Sequence, residues 1–200
     1  MLRSGDGLVN AVTGERTVIR ATARETGGER FETERFLPPE GPPHPEHVHP
    51  RQESTVTVVK GVCGLRLDGA IRVALPGERV LVPAATPHQL WNAGGDVLHL
   101  RVEKRPALES SERLLVALFD LAAAGRTDAR GMPSLLQQAV MIPAYADAAR
   151  LVSPPWRVQR VVCAVLGPMA RARGHRPFPA RSSSVPVAET ALDDRTQVAR

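Results

Sequence analysis

Short alternations of apolar and polar residues run through the chain from Glu15 to Lys104, and after Pro106 the period lengthens to that of a helix. Alternation sends every second side chain to the same face, so each such run predicts a half-buried strand. Two strands are expected between Glu15 and Leu37, with Gly27-Gly28 as the turn between them. The Pro-rich stretch LPPEGPPHP then delivers the chain to His47. Further strands are expected at 54–60, 63–67, 70–75, 79–82, 88–92 and 97–104. Asp68-Gly69 marks a hairpin, Pro83 to Pro87 a loop, and Ala93-Gly94-Gly95 the last turn. Evenly spaced short strands with turn signals predict an all-β barrel or sandwich.

The second half reads as helical. Leu115, Leu118, Phe119 and Ala122 recur at helical spacing and predict a helix over 109–124, with Ser110 or Ser111 as N-cap and Gly125 as stop. Pro133 opens a second helix through Ser134 and LLQQAVM, and a short third is expected over 144–151. A fourth, from Trp156 to Arg173, opens at Pro154-Pro155 and ends at Gly174. Their apolar faces predict docking on the barrel or over its mouth. The fourth is flanked by Arg157, Arg160, Arg171 and Arg173, so lying on a membrane surface is the alternative; Pro168 interrupts the helix and favours docking. The expected organisation is a barrel over 1–106, a helical extension packed on it over 107–176, and a disordered tail over 177–200.

Composition narrows the function classes. At 42% hydrophobic and 24% charged, 200 residues suit one sizeable core with an appendage. The opening MLRSGDGLVNAVTGER lacks an apolar signal region and no run of about 18 apolar residues occurs, so a cytoplasmic location is expected. Cys63 and Cys163 stand a hundred residues apart and fit no metal or redox spacing, which predicts two small buried thiols. The net charge of +5 is concentrated in residues 151–200, with 8 basic residues against 3 acidic ones. No aromatic residues interleave with them, and nucleic-acid binding is not expected.

The candidate chemistry lies between residues 41 and 92. His47 and His49, one residue apart on a strand, point the same way, and His88 arrives from a later strand. Three imidazoles converging on one point suit a first-row transition metal. The first segment reads Gly41, PPHPE, His47, Val48, His49, PRQ, Glu53 and closes at Gly61; the second reads Gly77, ERVLV, Pro83, Ala84, Ala85, TP, His88, QLW, Asn92. Together they resemble the two signature motifs of the cupin superfamily, GxxxxxHxH followed by Glu and then Gly, and GxxxxxPxGxxHxxxN. The resemblance covers residues 30 to 105 and implies an antiparallel jelly-roll barrel, a mainly β fold, with a metal held inside by His47, His49 and His88 and one Glu. It does not imply a reaction, because this fold hosts both enzymes and binders.

Two positions depart from the pattern. Ala85 stands where Gly would permit a positive φ, so a different turn is expected there. Ser54 occupies the common position of the Glu, and Glu53 fits only a variant spacing. Ser54, Val56 and Val58 share one face of their strand and Glu53, Thr55 and Thr57 the other, so an inward Val56 turns Glu53 outward unless a bulge rotates it back. A fourth ligand at Glu53, a three-histidine site, and a weakened site all remain open. Gln52 and Gln89 could bond a substrate or face solvent, and Asn92 and Trp91 are read as structural. His44, His99 and His175 are read as ordinary residues, His99 opposite Leu98 and Leu100 on its strand.

Two functions follow. One is a metal-dependent cupin enzyme acting on a small organic molecule, of oxygenase or isomerase/cyclase type. It would use iron first and manganese, nickel or zinc after it, with Glu53 as ligand or nearby base. The other is a non-catalytic module binding a small metabolite or metal. The resemblance also implies a homodimer, since cupins commonly cover their edge strands by pairing.

Overall fold

In the computed structural model, which describes residues 1–178, the alternating stretches become strands of two antiparallel sheets. In chain order these are β1 (Gly7–Val9), β2 (Arg16–Ala21), β3 (Phe31–Leu37), β4 (His47–Val48), β5 (Glu53–Lys60), β6 (Cys63–Leu67), β7 (Ala70–Ala74), β8 (Arg79–Val82), β9 (His88–Asn92) and β10 (Leu98–Arg105). Helices α1 (Glu109–Ala123) and α2 (Leu135–Ala144), strand β11 (Arg150–Leu151) and helix α3 (Trp156–Ala172) complete the described chain. One sheet has the order β1-β2-β3-β10-β5-β8 and the other β11-β4-β9-β6-β7. The tail expected over 177–200 falls almost wholly outside the described residues; Pro177 accepts a hydrogen bond from Tyr145 Oη at 3.0 Å.

The core is the interior face of both sheets. Leu37, Val56, Val58, Leu98 and Leu100 from one sheet meet Cys63, Leu65 and Leu90 from the other. Register fixes this face: Leu100 lies opposite Val58 and Val102 opposite Val56, so the inward residues of β10 and β5 stack directly. The Asp68-Gly69 hairpin forms as expected, with both residues at positive φ. Gly64 is required for a different reason. It faces Trp91 across β6 and β9, and a Cβ there would lie 2.2 Å from the indole.

Several local expectations need correcting. The motif-two turn keeps its left-handed residue, because Ala85 sits at φ 60 and its N–H donates to His49 O at 2.8 Å. An alanine held there costs about 1–2 kcal/mol that glycine avoids, partly offset by glycine's unfolded-state freedom. Ala85→Gly is therefore expected to stabilise the chain by about 0.5–1 kcal/mol, read as a rise in the urea midpoint at constant m. Helix α1 is capped by Leu108 without a side-chain bond, not by Ser110 or Ser111. Those hydroxyls are committed elsewhere, Ser110 to Asp147 at 2.8 Å and Ser111 to Gln52 at 2.5 Å. The short helix expected over 144–151 does not form; α2 runs to Ala144 through Pro143, and Arg150–Leu151 pairs with β4 instead.

Helix α1 packs Phe119, with Leu115, Val116 and Leu118, against Leu2, Leu8, Ile19 and Phe31 of the N-terminal segment, β1, β2 and β3. Its other side packs Ala117 and Leu121 against Val140, Met141 and Tyr145, with Ala170 from α3. Helix α3 docks through Gln159, Cys163, Gly167 and Ala170, leaving Val161 and Val165 exposed; its apolar stripe is not the docked face. Both cysteines are free and buried, and burial pushes the Cys63 thiol up to about 11. No helix among the described residues is long and apolar enough to cross a membrane.

Candidate metal centre

Strands β4 and β9 build the centre by pairing at a single position, His47 opposite His88. On β9 the alternation that buries Leu90 also turns His88 inward, and His49 follows His47 at the end of β4. The ring centroids of His47 and His88 are 4.4 Å apart, those of His47 and His49 4.8 Å, and those of His49 and His88 5.1 Å. One ring nitrogen from each lies within 4.8 Å of the other two.

The tautomers are set by the backbone. His47 Nδ1 donates to Pro45 O at 2.9 Å, His88 Nδ1 to Thr86 O at 2.9 Å, and His49 Nδ1 to Ala148 O at 2.6 Å. A carbonyl can only accept, so each Nδ1 carries the proton and each Nε2 keeps its lone pair. Orienting a ligand histidine through its second nitrogen is the usual device of metal sites. Burial holds His47 and His49 well below the ordinary imidazole range, with His88 adding to the effect at His47 and Lys104 at His49. Burial also lowers His88, against the pull of the Thr86 carbonyl. Neutral imidazoles with converging lone pairs fit a divalent transition ion, whose ligands must be deprotonated.

Glu53 is not brought to this group. It is exposed, while Ser54, Val56 and Val58 are buried, so the plain alternation of β5 holds without a bulge at Glu53. Ser54 takes the interior position, and its Oγ is buried without a hydrogen-bond partner. Gln52 is structural: at 0% exposure its Nε2 donates to Pro106 O at 2.7 Å and its Oε1 accepts from Ser111. Gln89 Nε2 donates to His44 O at 2.6 Å, and Asn92 Nδ2 tethers Leu37 O and Asp96 O. His44 pairs with Glu15 at 2.9 Å, His99 stacks on Phe36 outside the barrel, and His175 bonds Gln137.

Two contributors escape a reading of motifs. The Ala148 carbonyl comes from the segment after α2, brought beside His49 by the pairing of β11 with β4. Lys104 lies next in the inward alternation after Leu98, Leu100 and Val102, and its charge bears on all three histidines. Burial, with Arg35 adding, pushes its ammonium down to about 7.

None of the curated proteins matches the chain. Among solved structures it is similar to KdgF from Halomonas sp., at 22% identity over 48% of this chain and 82% of that one, with a TM-score of 0.42. It is also similar to a sugar phosphate isomerase from a cupin superfamily of Silicibacter pomeroyi, at 21% identity over 48% and 61%, TM-score 0.41. An RmlC-like cupin from Shewanella frigidimarina gives 18% identity over 55% and 91%, TM-score 0.44. The family described as Cupin domain matches residues 34–102, which span both histidine segments. That match lies on the two-sheet β fold that carries the histidines, so residues 34–102 match the cupin domain family, and the helices follow it.

Proposed function

We propose that the chain is a metal-dependent enzyme acting on a small oxygen-bearing organic molecule, of oxygenase or isomerase/cyclase type. His47, His49 and His88 would hold the ion, iron first and manganese, nickel or zinc after it. The observation that carries this reading is the common orientation of the three imidazoles, each with Nδ1 bound to a backbone carbonyl and Nε2 left free. Three protein ligands leave positions for substrate and water, which separates catalytic centres from closed structural ones. A bound divalent ion supplies Lewis acidity for polarising a carbonyl or hydroxyl.

The chain's own residues do the rest. Neutral histidines contribute no negative charge, and Ser54 replaces the expected carboxylate, so the ligand set favours an anionic oxygen from the substrate. Val56, Val58, Leu90 and Leu100 wall the interior with apolar surface and keep bulk water from the reacting group. A homodimer is part of the same proposal. The edge strand β7 presents exposed Ile71 and Val73, surface that a second copy would cover.

Metal content per chain, measured on protein purified without a histidine tag, tests the site. Wild type and Glu53→Ala are expected to carry near-stoichiometric divalent metal. His49→Ala is expected to lose it, with affinity falling by more than the about 10–100-fold typical of losing an outer partner. Metal retained in His49→Ala, or lost in Glu53→Ala, would overturn the three-histidine assignment. Wild type that takes up no ion, even from anaerobic ferrous solution, would overturn the metalloenzyme reading.

A further inference from the structure

Resting on the metal reading above, we propose that Lys104 and Ser54 form an anion subsite beside the three histidines, and that the substrate is a small carboxylic acid. Its carboxylate would sit on the lysine and the hydroxyl, with a neighbouring oxygen turned toward the histidines.

The placement comes from the sheet register. On β10, Leu98 and Leu100 are 0% exposed and Val102 is buried, and Lys104 continues the same alternation to the end of the barrel. Lys104 lies directly opposite Ser54 of β5, which is 3% exposed, and Ser54 in turn lies opposite Val82 of β8. The two polar side chains therefore leave the same face of adjacent strands, about 5 Å apart at the backbone.

Both lack partners. Ser54 Oγ is buried with no hydrogen bond, and a buried hydroxyl left in that state costs about 1–3 kcal/mol. Among the described residues Lys104 has no carboxylate within ion-pair distance. The nearby Arg35 is also cationic, but Glu15 already neutralises it. The charge of Glu46 bears on His88, and Glu46 makes no ion pair with Lys104. The interior thus presents a cation, a spare hydroxyl and three neutral imidazoles, and the position of the expected acidic ligand is a serine. A bound divalent ion would raise the positive charge further, so the complementary ligand carries negative charge of its own. One ammonium and one hydroxyl match the two oxygens of a carboxylate. A phosphate would call for the larger donor sets of backbone nests or arginine forks.

The probe is pyruvate, with methyl pyruvate as its uncharged control, titrated calorimetrically into zinc-loaded full-length protein. Zinc is chosen because it does not change oxidation state. Wild type is expected to bind pyruvate at least about 10-fold more tightly than the ester, the scale of a charge-assisted hydrogen bond. Lys104→Met is expected to lose at least about 10-fold in pyruvate affinity and Ser54→Ala several-fold, with zinc content and circular dichroism unchanged in both. Ser54→Ala leaves every charge in place and keeps the test decisive should Lys104→Met fold poorly. Equal pyruvate affinity in wild type and both variants, no preference over the ester, or no pyruvate binding to wild type would overturn the subsite. If zinc fails to load, the metal reading fails by itself, and the same titration of metal-free protein decides the subsite. Lys104-dependent pyruvate binding there upholds it, and binding that is absent or independent of Lys104 overturns it.

Discussion

Glu15→Ala is expected to lower the stability of the chain by about 3 kcal/mol, the lower end of the cost of breaking a buried ion pair by removing one partner. Glu15 is 5% exposed, and its Oε1 accepts from Arg35 Nε at 2.8 Å and Arg35 Nη2 at 2.5 Å. Its Oε2 meets His44 Nε2 at 2.9 Å. Burial alone would raise this carboxyl, but Arg35 and then His44 hold it well below the usual carboxylate range. Removing it leaves the largely buried Arg35 guanidinium without a counter-charge, and that uncompensated cation is the source of the loss. Glu15→Gln keeps some hydrogen bonding and should cost less than Glu15→Ala. The pH dependence has a defined sign. A carboxyl with a depressed folded pKa contributes stability that is complete above its unfolded value, about 4.5, and drains away as pH falls toward the folded value. Chemical denaturation of wild type and Glu15→Gln across acidic pH should therefore show the gap narrowing below about pH 4. A constant gap would mean that Arg35 is not relying on the charge.

Lys104→Met is expected to do the opposite and stabilise the chain, by a few kcal/mol at pH 6. The ammonium is pushed from 10.5 down to about 7 by burial and by Arg35. Between those values the unfolded chain binds a proton that the folded chain releases, so wild-type stability rises with pH across that window. The penalty is fully present below about 7 and disappears toward 10.5. Methionine, similar in length and uncharged, removes it, and the advantage of the variant should shrink as pH rises through the same window. Lys104 keeps partial solvent contact, which tempers the size of the effect without changing its sign. A residue that destabilises the fold and faces the candidate site is the pattern expected where function is kept at the expense of stability. Melting curves of both proteins from pH 6 to pH 10 would check it, and parallel curves would remove the buried-ammonium explanation.

Much of the barrel could be read from the chain because alternation is a local property. The parity of Ser54, Val56 and Val58 turns Glu53 outward unless a bulge rotates it back, and it left Glu53 open as a fourth ligand; the structure shows no bulge there and Glu53 exposed. The same parity reaches Lys104 through Leu98, Leu100 and Val102, but a lysine at a strand end reads as a solvated rim residue until its partners are known. Only two of the 26 basic residues are lysine, which by itself reads as a general bias toward arginine. Arginine keeps its charge and fork geometry almost anywhere, whereas a buried lysine is a compact point charge that responds to its surroundings. The pairing of β11 with β4 was not legible, because two residues carry no periodicity and the contact joins positions a hundred residues apart. The N-terminal strand β1 is three residues long and escaped for the same reason. The start of α1 at Glu109 was legible but its cap was not, because the serines that resemble caps are bound to Asp147 and Gln52 and Leu108 takes the cap position.

The hydrogen bond from His49 to the Ala148 carbonyl makes the extension and the histidine centre parts of one equilibrium. Undocking of β11 from β4 would free His49 to rotate and to change tautomer, weakening its grip on an ion. Linkage is reciprocal, so an ion that prefers the ordered His49 must hold the segment around Ala148 in place by the same free energy. Loading the centre would then protect the chain between Tyr145 and Leu151 from proteolysis and hydrogen exchange, although none of those residues belongs to the three-histidine group.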